Sequence, residues 1–222
     1  MTMKLDISDD LDNIAVLFSG GVESTLMLYM LAHQYPDKRI TAIESGCSYI
    51  PFPRHLQNTL STIHRISRLE QIKQGAINYH LVHYFDDDGG HYNEKALADL
   101  QPGMKFDVVM VGTNKVPPKG SIVDGLDLYD DCDMPWRKNP TGPVMAWDEP
   151  NGWWDYRPFK YMDKYEVTQL YHELGIFNEL FGFTRSCDRT FDKYLYELRT
   201  GIETGYPCEW CWSCRERRWG LK

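Results

Sequence analysis

Apolar residues fall in short runs separated by stretches with helical spacing. The first run, Asn13-Ile14-Ala15-Val16-Leu17-Phe18, is almost wholly apolar, the pattern of a parallel strand buried on both faces. It passes through Ser19-Gly20-Gly21 into residues 24–33, which read as a helix. Residues 39–43 read as a second strand. Residues 52–73 place Leu56, Leu60, Ile63, Ile66, Leu69 and Ile72 at helical spacing. Residues 79–85 predict a third strand, stopped by Asp86-Asp87-Asp88-Gly89-Gly90, and residues 107–111 a fourth, ending at Gly112-Thr113-Asn114. Residues 117–158 are rich in Pro, Gly, Asp and Trp without a period, and predict a long functional loop or lid. Asp163-Lys164-Tyr165-Glu166 has the form of a capping box, opening a helix that runs to about Gly175.

Strands alternating with helices predict an α/β fold: a doubly wound parallel sheet covered on both faces. Ligands of such sheets collect beyond the carboxyl ends of the strands. Ser19-Gly20-Gly21 and Gly112-Thr113-Asn114 both fall at such ends, so two distant segments are expected to share one crevice. The length, 222 residues, fits one domain over 1–222.

Composition narrows the partners. The net charge of −8 is spread through the chain and speaks against a nucleic-acid backbone as main partner. The start turns acidic at once at Met1-Thr2-Met3-Lys4-Leu5-Asp6, and the apolar runs are only strand-sized. A soluble, cytoplasmic protein without a membrane span is therefore expected.

A strand turning through two glycines into a helix is a device for holding phosphate. The helix start presents unpaired N–H groups and partial positive charge, and glycine admits close approach of an anion. Ser19, Ser24 and Thr25 add hydroxyl donors. The loop lacks the Lys-Ser/Thr of a Walker A sequence and the G-x-G-x-x-G of dinucleotide folds. An ordinary strand-to-helix turn is the alternative.

Cys187, Cys208, Cys211 and Cys214 form C-x20-C-x2-C-x2-C. Three thiols in seven positions with a distant fourth suit a tetrahedral, closed and therefore structural metal site over residues 183–222. Zinc fits it better than an iron–sulfur cluster, which four thiolates can also hold.

Phe18-Ser19-Gly20-Gly21-Val22-Glu23-Ser24-Thr25 resembles the Ser-Gly-Gly-x-Asp-Ser loop of the N-type ATP pyrophosphatases, with Glu23 where that superfamily usually carries Asp. Thr184-Arg185-Ser186-Cys187, then Cys208-Glu209-Trp210-Cys211-Trp212-Ser213-Cys214 and Arg217, resembles the signature of the 7-cyano-7-deazaguanine synthases. Pro158-Phe159-Lys160-Tyr161-Met162-Asp163-Lys164 resembles that family's lead into the following helix. The middle differs: Glu44-Ser45-Gly46-Cys47-Ser48-Tyr49 stands where the family has Asp-Tyr-Gly-Gln-Arg-His. The resemblance implies an adenine nucleotide alpha hydrolase-like fold with ATP, Mg2+ and Zn2+. It implies an ATP-dependent C–N ligase of queuosine-type biosynthesis, joining ammonia to the carboxylate of 7-carboxy-7-deazaguanine. Ser19, Gly20, Gly21, Ser24 and Thr25 would hold phosphate and Glu23 would help position magnesium. Gly112, Thr113 and Asn114 would line the pocket, and Lys164 and Arg185 would stabilise charge. A homodimer is compatible with this reading. The alternatives are a relative that adenylates another acceptor, such as a protein or a nucleic acid, and a zinc-stabilised module that binds nucleotide or nucleic acid without turnover.

Overall fold

The computed structural model describes residues 3–47, 52–69, 72–84, 92–184 and 211–222. Its centre is a six-stranded sheet of β1 (Asn13–Leu17), β2 (Arg39–Cys47), β3 (Ile77–Tyr84), β4 (Val108–Val111), β7 (Met145–Asp148) and β8 (Trp153–Tyr156), in the order β3-β2-β1-β4-β8-β7. Five strands run parallel and β7 pairs antiparallel with β8 at one edge. The register sets Ile14 beside both Ile40 and Val108. A small hairpin, β5 (Ile122–Val123) and β6 (Leu126–Asp127), stands apart from this sheet.

Period-two alternation divides the central strands between two cores. Ile14, Val16, Val108 and Met110 join one apolar cluster, with α1 (Val22–Gln34), α5 (Lys164–Glu173) and α6 (Phe177–Leu180). Ala15, Ile43 and Val109 join the other, with Ala96 and Leu97 of α3 (Tyr92–Leu100). Both faces are covered, as expected of a doubly wound α/β sheet. α2 (Phe52–Arg68) packs beside α6. α1 is buried from Val22 through Ala32, which explains why its sequence is apolar nearly all round.

Residues 117–158 differ from the expected lid. They carry β5, β6, the short α4 (Pro135–Lys138), β7 and β8, and β8 hydrogen-bonds directly to β4. The strands are two to four residues long, too short for an apolar period to register. The Asp163 capping box forms as expected, with the side chains of Asp163 and Glu166 each accepting from the other's backbone N–H. α7 (Trp212–Trp219) packs against α5 and β5. Among the described residues, no helix is long and apolar enough to cross a membrane.

Candidate functional site

β1 has β2 on one side and β4 on the other, so the chain order reverses at β1 and β4. In open α/β sheets such a reversal is where ligands bind, beyond the carboxyl ends of the two strands. Both expected segments lie there: Ser19-Gly20-Gly21 after β1, and Gly112-Thr113-Asn114 after β4.

The turn after β1 is held from both ends. Phe18 N–H donates to the Ile43 carbonyl at 2.8 Å. Gly20 takes φ +68, a left-handed conformation that a side chain would strain. Gly21 is the N-cap of α1, and no side chain caps that helix start. Instead the hydroxyls tie the turn together: Ser19 N–H donates to Ser24 Oγ at 3.3 Å, and the two serine oxygens lie 3.2 Å apart. Gly21 N–H donates to Ser19 Oγ at 3.3 Å, so the amides of Val22, Glu23 and Ser24 open α1 without a side-chain cap, where the helix dipole favours an anion.

Gly112 is pressed against this helix start. A Cβ built there would lie 3.0 Å from Ser24 N and 3.1 Å from Glu23 Cβ. Two buried hydroxyl oxygens, Thr25 Oγ1 and Thr113 Oγ1, have no hydrogen-bond partner among the described residues. An uncapped helix start, a close glycine contact and orphaned hydroxyls together fit an anionic ligand.

Beside the turn lies a buried charge cluster. Glu23 is 8% exposed and its carboxylate receives the Lys164 ammonium, itself 3% exposed. Lys164 also lies 3.5 Å from Glu216 Oε2, on α7. Glu216 pairs with Arg137 of α4, whose Nε and Nη2 donate at 2.9 Å to the carbonyl and side-chain oxygens of Asn114. Asn114 Nδ2 in turn donates to Glu216 Oε1 at 3.2 Å. Two carboxylates face two cations, so the cluster is neutral overall. Burial makes each pairing necessary, because an unpaired buried charge costs several kcal/mol, about 3–5 when a partner is removed.

The expected residues are thereby located. Phe18, Ser19, Gly20, Gly21, Val22, Glu23, Ser24, Thr25, Gly112, Thr113, Asn114 and Lys164 converge on one region. Asn114 holds Arg137, and Glu23 is committed to Lys164. Lys164 is a buried cation rather than an exposed one. Cys211 is the N-cap residue of α7 and Cys214 sits in its first turn, both buried. Arg185, Cys187 and Cys208 lie outside the described residues. Arg217 donates to the carbonyls of Thr184 at 2.6 Å and Phe181 at 2.8 Å, pinning α7 to the 3-10 turn Phe181–Phe183.

Sequence reading missed Arg137 and Glu216, which stand in the charged runs Arg137-Lys138 and Arg215-Glu216-Arg217-Arg218 with nothing in the sequence to set them apart. It also missed a second buried carboxylate at the carboxyl half of β2. Glu44 accepts from Thr59 Oγ1 at 3.0 Å and from the Tyr79 hydroxyl. Burial, then the neighbouring Glu44 carboxylate, pushes the Tyr79 phenol well up. Thr59 Oγ1 is 3.5 Å from where a Gly20 Cβ would stand, so Glu44 is linked to the turn through one side chain. Tyr171 of α5 donates to the Val22 carbonyl at 2.6 Å, and burial likewise raises its phenol.

Fold and site together define an α/β domain with an uncapped helix start at the switch point of its sheet, an arrangement that suits an anion. No protein-family model and no curated protein matches the chain. Among solved structures, it is similar to the U34-tRNA thiolase NcsA from Methanococcus maripaludis with its 4Fe-4S cluster. That likeness has 17% identity and a TM-score of 0.48, over 96% of this chain and 73% of that one. It is also similar to NMN synthetase from Francisella tularensis, at 12% identity and a TM-score of 0.44, over 96% of this chain and 85% of the other. The chemistry of the site follows from this chain's own residues.

Proposed function

We propose that this protein is an ATP-using enzyme that activates a carboxylate or carbonyl oxygen by adenylation. The observation that carries the reading is the uncapped start of α1, with Gly20 at φ +68 and Gly112 against Ser24, at the switch point of the sheet. Backbone amides there would hold the polyphosphate, and the Ser19–Ser24 pair would keep the turn in shape. The acceptor oxygen attacks the α-phosphorus, pyrophosphate leaves, and the adenylate carries the activated group. Such chemistry asks the protein for alignment and charge neutralisation rather than for a nucleophile of its own.

The finer reading is 7-cyano-7-deazaguanine synthesis, supported by the two-ended sequence resemblance. Ammonia would displace AMP from the adenylated carboxylate to give an amide. A second adenylation at the amide oxygen, followed by loss of AMP, would give the nitrile. Magnesium accompanies the nucleotide in this reading, but Glu23 is not assigned as its ligand, because its carboxylate takes Lys164. Zinc would be held by Cys187, Cys208, Cys211 and Cys214. Buried thiols at the start of α7 suit that role, and the metal would be architectural.

The test incubates the protein with ATP, magnesium, ammonium and 7-carboxy-7-deazaguanine, detecting nitrile by mass and measuring AMP and pyrophosphate. Nitrile is expected, with Ser24→Ala lowering the rate about tenfold or more by loosening the turn. Release of AMP only with another acceptor would keep the activation chemistry and remove the deazaguanine. No release at all, with salt-dependent nucleic-acid binding that survives Ser24→Ala, would mean a binding module instead.

A further inference from the structure

The charge cluster beside the anion cradle is built from four parts of the chain. Glu23 comes from the first turn of α1, Lys164 opens α5, Arg137 sits in α4, and Glu216 comes from α7. All four side chains are at least nine-tenths buried. Each cation reaches Glu216: Arg137 directly, Lys164 at 3.5 Å. Arg217, next along α7, is directed to the Thr184 and Phe181 carbonyls instead.

A carboxylate in the first turn of α1 would by itself repel an anion seeking the same helix start. Lys164 cancels that charge. One ammonium and one guanidinium beside Glu23 alone would leave an excess positive charge in a low-dielectric setting. Glu216 cancels the excess. These four charges therefore cancel beside the helix start, and that balance is set by a residue of a helix far away in sequence.

We propose that Glu216 is a positioning residue that trims the electrostatic potential at the anion cradle, acting through Lys164. It limits how tightly polyphosphate is held, so that pyrophosphate can leave. This rests on the reading of the cradle as a phosphate site. An unbalanced charge in this buried setting changes anion affinity by about tenfold, with a sign fixed by which partner is removed.

The experiment measures the dissociation constant for inorganic pyrophosphate by calorimetry, and the rise in unfolding midpoint that pyrophosphate produces. Glu216→Gln leaves one excess cation and is expected to bind about tenfold tighter, with a larger pyrophosphate-induced rise than wild type. Lys164→Gln leaves one excess carboxylate and is expected to bind about tenfold more weakly. The double variant restores neutrality and is expected to return toward the wild-type constant, an outcome a merely structural role for Glu216 does not produce. The thermal shift reads the same coupling should a single variant be too unstable for calorimetry. Wild-type binding with both single variants weakened, or both unchanged, overturns this inference and leaves the phosphate site standing. Absence of pyrophosphate and ATP binding by wild type overturns both.

Discussion

Gly112 shows how much a single missing side chain contributes. It closes β4 and sits against the backbone of Ser24, leaving no room for a larger residue unless the start of α1 moves. Gly112→Val is expected to push Ser24 N–H out of line, costing about 1–3 kcal/mol of stability through overpacking. On the proposed phosphate reading it should also weaken pyrophosphate binding by about tenfold or more, by disturbing the aligned amides. Calorimetry beside urea unfolding checks both, and unchanged affinity in a folded variant would remove Gly112 from the cradle. Asn114, two residues on, makes a different contribution. Its side chain fixes Arg137 and Glu216 at once, so the segment after β4 supplies both the wall of the crevice and the frame of the charges.

Among the elements, β2, α2 and β3 are joined by one buried carboxylate. Glu44 on β2 accepts hydroxyls from Thr59 on α2 and Tyr79 on β3. Burial, with Glu44 behind it, raises the Tyr79 phenol above its usual range, whereas an unfolded tyrosine ionises near pH 10. The raised group supports the fold fully below about pH 10, and that support declines as pH climbs above it, because only the unfolded chain then gives up the proton. Urea midpoints measured across about pH 8 to 11 should fall at the alkaline end, and Tyr79→Phe should flatten the fall. An unaltered slope in that variant would assign the loss to other groups, such as Tyr156 and Tyr171, whose phenols burial also raises. The element scale also separates what was legible in the sequence from what was not. β1 and β4 are runs of apolar residues buried on both sides, and such runs announce themselves. α5 announces itself by its capping box. β5 through β8 do not, because strands of two to four residues with tryptophan and aspartate among them carry no period. α3 escaped notice for a similar reason, its nine residues mixing charge and small apolar side chains. The turn after β1 was legible because Ser19 to Thr25 is contiguous. Arg137 and Glu216 were not, since only tertiary contact singles them out from the charged residues beside them in sequence.

At the level of the whole molecule, β1, β2 and β3 form the local half of the sheet, whereas the β1–β4 pairing and the charge cluster join distant residues. β1 and β2 are close in sequence and pair without long detours. Glu23 and Lys164 are 141 residues apart, and Asn114 and Glu216 are 102 apart. Joining distant residues costs loop-closure entropy that only later contacts repay, so such pairs tend to form late. The consequence concerns the order of assembly. A refolding chain will pair β1, β2 and β3 while Glu23 still stands unneutralised, because Lys164 arrives only with α5, the helix that also brings Val167, Leu170 and Tyr171 into the core. In stopped-flow refolding, capture of pyrophosphate should therefore lag behind recovery of the far-ultraviolet dichroism signal, and simultaneous recovery would mean that the distant charges arrive with the sheet. On the proposed phosphate reading, ligand capture would then report that the contact between Glu23 and Lys164 has closed.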